Sequence, residues 1–432
     1  MAEALIDLGR VEDAPVEPPP PRSWRPVLAA AGALLLVLLG GAAAPVHPPA
    51  PAILPGALGD QLIVTDETVF VVGAASESGE AVRSHPLHAY ALPGARPVSA
   101  STIAVPGVIF SIQPAGPDLL LISARNEADN VVTVIAVRPS TGETLWRRAG
   151  ITVGVSETAG VAVITTDGVP RSDDEYAVSY WHVVDLETGT SRWSVRLASG
   201  EQAVTDGAVR EPRRLYVLRT GRLSAYDVRN GRVVAQVPVP GIAPGEAALW
   251  PVGDRVLVTG EEGGTYTFQG DELTPVSHVA RGMSGYFAPA ECDGLLCVYT
   301  ETNRVAGLDP ETGAETWSAP FDGFAAYRDG AVISTATADG TRPRLLKSDP
   351  VTGRRLAELD GWSPVPGTAS GPFYVQHVQL GADRYWFGVV DPVTFRVAVL
   401  FSGEHLAGDC RFTETALVCR RIDASVGVWP LR

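Results

Sequence analysis

The residues of this 432-residue chain best suited to chemistry are its four cysteines. Cys292 and Cys297 flank an Asp-Gly pair, a strong signal for a tight hairpin, so their thiols can meet across the turn. With Cys410 and Cys419 near the C-terminus, two local disulfides are the simplest of the three possible pairings. A zinc site is the alternative, but these two spacings together depart from the usual zinc-ligand pattern. Disulfides would indicate an exported protein.

No catalytic motif accompanies the cysteines. The seven histidines show no metal-ligand spacing, and the sequence has no nucleophile elbow, zinc-protease motif or P-loop. Segment 260–264 is glycine-rich but acidic, the wrong charge for phosphate, so a turn is expected there. The acidic run 173–175 could hold calcium, but it lacks the interleaved ligand pattern, and a solvated loop is the simpler interpretation. We therefore predict no catalytic, cofactor-binding or metal-binding residue.

A short turn recurs about every forty residues and dominates the rest of the sequence. Its clear copies are Asp185 to Gly189, Asp227 to Gly231, Asp309 to Gly313 and Asp349 to Gly353, with weaker copies at 92–94, 138–142, 269–271 and 391–395. The Asp carboxylate can accept hydrogen bonds from amides two or three residues on, and the closing Gly supplies a positive φ. This combination predicts a hairpin loop between two strands.

Tryptophan follows the turn glycine by four residues in three copies, at Trp146, Trp193 and Trp317, whereas Ala235 and Ala357 hold this position in two others. We predict that the three rings pack between neighbouring units, because a buried aromatic ring contributes a large apolar area. Apolar strands precede each turn, and no segment after residue 50 shows helical periodicity. Four strands per forty-odd residues predict an all-β propeller of four-stranded blades.

These repeats resemble the PQQ-like, or quinoprotein-type, propeller repeat. The best matches are segments 184–193 and 308–317, whereas Arg138 replaces the Asp in one copy and Phe395 replaces the Gly in another. The resemblance covers residues 59–432 and implies the fold. Enzymes of this type use adjacent cysteines and calcium ligands beneath the cofactor, and this chain has no Cys-Cys pair. The resemblance therefore implies neither an activity nor a bound cofactor.

The number of blades follows from counting the turns. Eight turn positions and a partial unit at 410–431 predict eight blades, with seven as the alternative and nine ranked lower. In this interpretation the partial unit is the closing half of a blade. Residues 52–55 could supply a closing strand from the N-terminal side.

The N-terminal segments differ from the repeats in composition. Residues 1–25 are polar and Pro-rich, which predicts a disordered cytoplasmic tail. Residues 26–46 are predicted to be a transmembrane signal-anchor helix, because 27–44 carry no charge and two arginines precede them. A Pro/Ala-rich spacer (47–58) and the propeller domain (59–432) follow. A cleaved signal peptide ending at 42–44 is the alternative.

Composition and topology together predict the kind of partner. The formal net charge of −15, with a single lysine, argues against nucleic acid and anionic lipid as partners. We predict a non-catalytic binding or scaffold module with a protein partner, tethered by one helix to the cell membrane with the propeller outside. The alternatives are an extracytoplasmic enzyme or a cofactor- or sugar-binding protein that uses the propeller channel, with Trp250, Trp362 and Trp386 lining a face.

Overall fold

In the computed structural model, contacts divide the chain into Met1–Pro48 and Pro49–Arg432, and the first unit lies wholly outside the described residues. The described residues are 50–431 apart from 76–81, 127–128, 168–177, 207–210, 243–244, 246, 261–263, 280–285, 301, 321–322, 339–341, 368–370, 380 and 382. The predicted calcium alternative at 173–175 falls in one of these gaps.

The described residues form 36 strands and no helix. The strands of the first half are β1 (Ala52–Leu54), β2 (Gln61–Val64), β3 (Thr68–Val72), β4 (Val82–Ala91), β5 (Arg96–Pro106), β6 (Val108–Gly116), β7 (Leu119–Arg125), β8 (Val132–Val137), β9 (Thr144–Ala149), β10 (Ile151–Ser156), β11 (Val161–Asp167), β12 (Ser179–Asp185), β13 (Ser191–Leu197), β14 (Gln202–Thr205), β15 (Arg214–Arg219), β16 (Arg222–Asp227), β17 (Val233–Pro238) and β18 (Ala247–Val252).

The second half continues the same alternation of short strands and tight turns. Its strands are β19 (Arg255–Gly260), β20 (Gly264–Gln269), β21 (Thr274–Val279), β22 (Tyr286–Cys292), β23 (Leu295–Thr300), β24 (Arg304–Leu308), β25 (Glu315–Pro320), β26 (Gly323–Arg328), β27 (Ala331–Ala338), β28 (Arg342–Ser348), β29 (Arg355–Asp360), β30 (Trp362–Pro364), β31 (Tyr374–Gln379), β32 (Arg384–Val390), β33 (Val397–Glu404), β34 (Leu406–Phe412), β35 (Ala416–Arg421) and β36 (Val426–Pro430).

These strands make nine antiparallel sheets of four strands each, so the protein is a nine-bladed propeller. Blade 1 is β2 to β5, and each following group of four strands makes the next blade, as far as blade 8 (β30 to β33). Blade 9 has the order β34, β35, β36, β1, with the N-terminal strand outermost. The all-β architecture and the four-stranded blades agree with the sequence prediction.

The predicted blade number was wrong, and the way in which the ring closes explains the error. Each of blades 1 to 8 contains one of the eight recognisable turns, between its third and outer strands. Blade 9 has no such turn because its outer strand arrives from the other end of the chain. The eight turns therefore count one blade too few, and the partial unit at 410–431 belongs to a whole ninth blade.

The closure itself joins the two ends of the described chain by backbone and side-chain contacts. In β1, Ala52 pairs with Val428 and Leu54 with Val426. Blade 9 also packs against blade 1, where Val69 and Val71 belong to the same buried cluster as Val426 and Val428. Burial of each such side chain stabilises the fold by about 1.5–3 kcal/mol. The contact between blades 9 and 1 is therefore a packed junction like those between the other blades.

The predicted tail (1–25) and transmembrane helix (26–46) lie outside the described residues. Across the part of the chain that the structure describes, no helical segment has the length and apolarity that a membrane crossing requires. As a correction, the transmembrane helix ahead of the propeller and the single-pass, extracytoplasmic location inferred from it are not retained.

Both predicted disulfides are confirmed. Cys292 bonds to Cys297 across the β22–β23 hairpin of blade 6, and Cys410 bonds to Cys419 between β34 and β35 of blade 9. All four side chains are buried, at 0, 1, 8 and 0% exposure in chain order. The two bridges lie in different blades, so the structure does not bring the four sulfur atoms together as one site.

Removal of the blade 9 bridge in a Cys410→Ala, Cys419→Ala variant is expected to lower the free energy of unfolding by about 2–3 kcal/mol, because the denatured chain then loses a crosslinked loop. Chemical denaturation of wild type and variant measures the difference. The equivalent Cys292→Ala, Cys297→Ala variant should behave alike. Peptide mapping under non-reducing conditions that finds free thiols in the folded protein would contradict this expectation.

Candidate functional site

The repeated turns have the hydrogen bonds that their sequence predicts. In the turn at 185–189, Asp185 Oδ1 accepts from the Glu187 N–H at 3.1 Å and the Thr188 N–H at 3.0 Å. Gly189 has φ +67° and donates its N–H to the Asp185 carbonyl at 2.9 Å. The turns that begin at Asp309, Asp349 and Asp391 repeat this arrangement, and Asp227 accepts from the Arg229 N–H at 2.8 Å.

These hydrogen bonds favour the charged form of four of the aspartates. The guanidinium of Arg192 lowers the pKa of Asp185, and the backbone N–H groups of Thr312, Thr352 and Thr394 lower the pKa values of Asp309, Asp349 and Asp391. A carboxyl group with a lowered pKa in the folded state stabilises the fold above its ordinary pKa. That contribution is lost as the pH falls through the folded-state pKa.

The unfolding temperature is therefore expected to fall below about pH 4, where these carboxylates begin to protonate. A variant with Asp309→Asn, Asp349→Asn and Asp391→Asn should lose less stability over the same acid range, because the amide oxygen still accepts the two N–H bonds but does not titrate. Thermal unfolding from neutral pH to pH 3 compares the two proteins, with their stabilities at neutral pH as the control. Parallel acid profiles would count against the turns as a source of acid sensitivity.

The three repeat tryptophans join neighbouring blades. Trp146 of blade 2 donates its indole N–H to the Leu186 carbonyl in the blade 3 turn at 2.8 Å. Its ring covers Gly189, where an added Cβ would lie 2.5 Å from the ring atom Cγ. Only glycine fits under the ring, which gives the turn glycine a packing role beside its positive φ.

The other two tryptophans make the same contact with the next blade. Trp193 donates to the Val228 carbonyl and Trp317 to the Pro350 carbonyl, each at 2.8 Å. Gly231 lies under the Trp193 ring and Gly353 under the Trp317 ring, with added Cβ atoms 2.7 and 2.5 Å away. Three junctions thus share one geometry, in which an indole of one blade covers the turn of the next.

Junctions without tryptophan use other donors to the same carbonyl, that of the second turn residue. Ser101 donates to the Pro139 carbonyl at 2.9 Å and Ser277 to the Pro310 carbonyl at 2.7 Å. Lys347 donates to the Pro392 carbonyl between blades 7 and 8. Sequence reasoning missed these contacts because serine and lysine carry no repeat signature.

The junction between blades 4 and 5, where the tryptophan position holds Ala235, is joined by ion pairs. Arg214 lies 2.7 Å from the Asp271 carboxylate in the blade 5 turn and 3.6 Å from Asp227 in the blade 4 turn. Burial and then the charge of Asp271 raise the pKa of the nearby Tyr216 to about 12. A partly buried guanidinium that bridges the two turns therefore links these blades where the indole is missing.

At the turn of blade 8 the small and the aromatic residue have changed places. The turn position carries the aromatic side chain, and the preceding blade carries the small one. Phe395 stands where the other turns have glycine and keeps the positive φ, at +52°. In blade 7 the position that holds tryptophan elsewhere is Ala357. The Phe395 side chain is 4% exposed and packs in one buried cluster with Ala357, Val375 and Val390. The aromatic ring that normally comes from the preceding blade comes here from the turn itself.

The repeated turns lie at one end of the propeller, together with the hairpins between the inner and second strands of each blade. We call this end the turn face. Because successive strands are antiparallel, the hairpin between the inner and second strands lies at the same end as the hairpin between the third and outer strands. Eight of the nine inner hairpins carry carboxylates. These residues are Asp66, Glu67, Asp118, Glu157, Asp206, Glu211, Asp254, Asp293, Asp329 and Glu414.

Two clefts open between blades on the turn face. The first, of about 590 Å³ between blades 2 and 3, has the apolar residues Leu119, Leu145 and Leu186 and the carboxylates of Glu157 and Glu187. The second, of about 540 Å³ between blades 7 and 8, has Phe373 and Phe395, each with a cation, Arg328 or Lys347, about 6 Å from the ring centre. Both offer an apolar floor with charged rims.

The described residues do not provide the ligands of a quinone and calcium centre. Among them no group of three His, Cys, Asp or Glu side chains is placed to hold a metal ion. The cysteines are all paired within their own blades, and the Cys-Cys ring of the quinoprotein enzymes has no counterpart in the sequence. We derive no chemistry through such a group.

The architecture and the repeat turns together define a PQQ-like repeat propeller. A family model described as outer membrane protein assembly factor BamB matches residues 71–265 and 259–373, and the chain belongs to this family. This confirms the resemblance inferred from the repeats. No curated protein matches the sequence.

Several solved structures are similar to the chain. BamB from Moraxella catarrhalis is 19% identical over 74% of this chain and 96% of its own, with a TM-score of 0.40. The computationally designed Ika8 protein is 16% identical over 75% and 96%, with a TM-score of 0.40. The C-terminal WD40 domain of Sif2 is 10% identical over 89% and 99%, also with a TM-score of 0.40.

Proposed function

We propose that this protein is a non-catalytic assembly scaffold that holds a protein partner on its turn face. The observation that carries the proposal is the match to the assembly-factor family over most of the propeller. The structure supports it with a ring whose blades are joined at the turns, because a rigid ring presents loops in fixed positions.

The cleft between blades 2 and 3 is the contact point that we propose. Glu157 and Glu187 stand on its rim, and neither carboxylate forms an ion pair among the described contacts. The nearby arginines are already engaged, Arg138 with Glu143 at 3.1 Å and Arg192 with Asp185 at 2.8 Å. This leaves uncompensated negative charge over an apolar floor, which favours a basic, partly apolar segment of the partner.

The test begins with in-cell crosslinking of the full-length chain, followed by affinity measurement with the purified partner. A Glu157→Gln, Glu187→Gln variant should bind about tenfold more weakly, equivalent to about 1.4 kcal/mol. The matched control, Asp129→Asn with Asp383→Asn, removes two carboxylates from loops at the opposite end of blades 2 and 8 and should bind as wild type. Equal loss in both variants would contradict the site.

A second measurement tests the non-catalytic part of the proposal. The purified protein is expected to show no quinone absorbance band and no calcium-dependent shift in unfolding temperature. A clear positive in both measurements would overturn the scaffold function in favour of a quinoprotein.

A further inference from the structure

The connection between the inner and second strands of blade 4 is longer than most of its counterparts. It spans residues 206–213, whereas seven other blades make this connection with two to four residues, and only 365–373 in blade 8 is longer. Long connections on a rigid scaffold often carry function. The described end of this one reaches across to blade 3 through Glu211.

The Glu211 carboxylate contacts the inner hairpin of blade 3, whose connection is residues 157–160. Its Oε1 accepts hydrogen bonds from the Glu157 N–H at 2.8 Å and the Thr158 N–H at 3.3 Å. Its Oε2 accepts from the Ser156 hydroxyl at 2.9 Å. A side chain of blade 4 therefore satisfies the backbone donors at the start of a blade 3 hairpin.

The backbone of Glu211 is held in place as firmly as its side chain. Glu211 has φ +56°, a conformation that residues other than glycine rarely adopt, and it donates its N–H to the Val155 carbonyl at 2.7 Å. Such a conformation persists only where the surrounding contacts fix it. Burial acts to raise the pKa of the Glu211 carboxyl, but the hydrogen bonds from Ser156 and Thr158 outweigh it and lower the pKa. The carboxylate is therefore charged at neutral pH.

The same hairpin forms one side of the cleft between blades 2 and 3. Glu157 and Gly160 both line this cleft, and the Gly160 carbonyl accepts from the Leu186 N–H at 3.1 Å, beside Glu187. Glu211 is not among the described residues that line the cleft. Blade 4 lies on the other side of blade 3, so Glu211 holds the hairpin from the side away from the cleft.

We propose that Glu211 is a positioning residue for the partner site, which fixes the 157–160 hairpin so that Glu157 stands in place before the partner arrives. This rests on the proposed function, because it requires the partner to bind at the cleft between blades 2 and 3. A rim that is already ordered lowers the entropic cost of binding, so the contact strengthens binding without touching the partner.

Affinity measurements with the full-length chain and the purified partner test the role of Glu211. Glu211→Ala should weaken binding roughly threefold to tenfold, because the hairpin loses its acceptors and must be ordered on binding. Glu211→Gln should bind almost as wild type, since the amide oxygen accepts the two N–H bonds and the amide NH2 can donate to the Ser156 hydroxyl. An equal loss in both variants would show that the charge of Glu211 acts on the partner directly, and would overturn the positioning role.

A matched control removes a carboxylate with a similar local role elsewhere. Asp423 accepts from the Ser425 N–H at 3.1 Å in the hairpin between the second and third strands of blade 9, at the opposite end of the propeller. Asp423→Ala should bind the partner as wild type. A loss equal to that of Glu211→Ala would contradict a specific effect at the cleft.

A double-mutant cycle tests whether Glu211 acts through Glu157. In a Glu157→Gln background, the further change Glu211→Ala should have little effect on affinity, because the carboxylate that Glu211 positions is already gone. The two changes should therefore couple strongly. Full additivity of the two losses would refute action through Glu157.

Hydrogen exchange of the free protein separates this proposal from the proposed function. Peptides that cover 156–160 should exchange faster in Glu211→Ala and as in wild type in Glu211→Gln and Asp423→Ala. Unchanged exchange in Glu211→Ala would refute the positioning alone. If exchange rises as expected but Glu157→Gln with Glu187→Gln binds as wild type, the proposed partner site is wrong and the role of Glu211 in it falls with it.

Discussion

Replacing Trp317 by alanine is expected to lower the free energy of unfolding by about 3–5 kcal/mol, because the substitution opens a cavity between blades 6 and 7. The indole is 8% exposed, covers Gly353 and donates to the Pro350 carbonyl at 2.8 Å. Trp317→Phe should lose less, since it keeps most of the buried area and gives up the hydrogen bond, worth about 1 kcal/mol.

Chemical denaturation of the full-length chain measures both effects. Trp386→Ala is the control, because that ring is only partly buried and lies on the third strand of blade 8, away from the repeat position. Its loss of stability should be clearly smaller. If Trp317→Ala and Trp386→Ala had the same effect, the indole contact would not be a principal link between blades.

The second prediction concerns the junction between blades 7 and 8, where Phe395 takes the turn-glycine position and Ala357 the tryptophan position. The expected loss of stability is of similar magnitude. Phe395→Gly removes a buried ring and is expected to cost about 3 kcal/mol, although glycine relieves the positive φ of +52°. Ala357→Trp alone should also destabilise the fold, because it crowds an indole against the phenyl ring already present.

Combining the two substitutions should recover most of the loss. Phe395→Gly with Ala357→Trp rebuilds the arrangement seen at Gly353 and Trp317, so the two changes should couple strongly in a double-mutant cycle. The free energies of unfolding of the four proteins give the coupling. Simple additivity would show that Phe395 does not occupy the place of the missing indole.

The sequence was sufficient for the features that are local. The Asp-to-Gly turns have a hydrogen-bonding pattern contained within five residues, and Asp293 and Gly294 form the hairpin between the bridged cysteines. Such features predict hairpins, and their period predicts blades. The four-residue step from turn glycine to tryptophan also marks the side chains that cross to the next blade.

Features that depend on contacts between segments far apart in the sequence could not be predicted from local motifs. The suggestion that residues 52–55 supply a closing strand was correct, since Ile53 pairs with Gly427. Neither residue carries a repeat signal, however, so the sequence did not show that this strand completes a ninth blade. The clefts combine residues from neighbouring blades, as with Asp118 and Glu187, whose proximity follows only from the assembled ring. Substitute donors such as Lys347 are also invisible in a motif search, because only the acceptor position repeats.

The ring itself is the central claim, and an experimental density map viewed down the propeller axis tests it most directly. We expect nine radial four-stranded sheets, with residues 52–54 forming the outermost strand of the blade built from 406–430. A map with eight blades, or with residues 52–54 unpaired outside the ring, would contradict the closure and the account of the blade number.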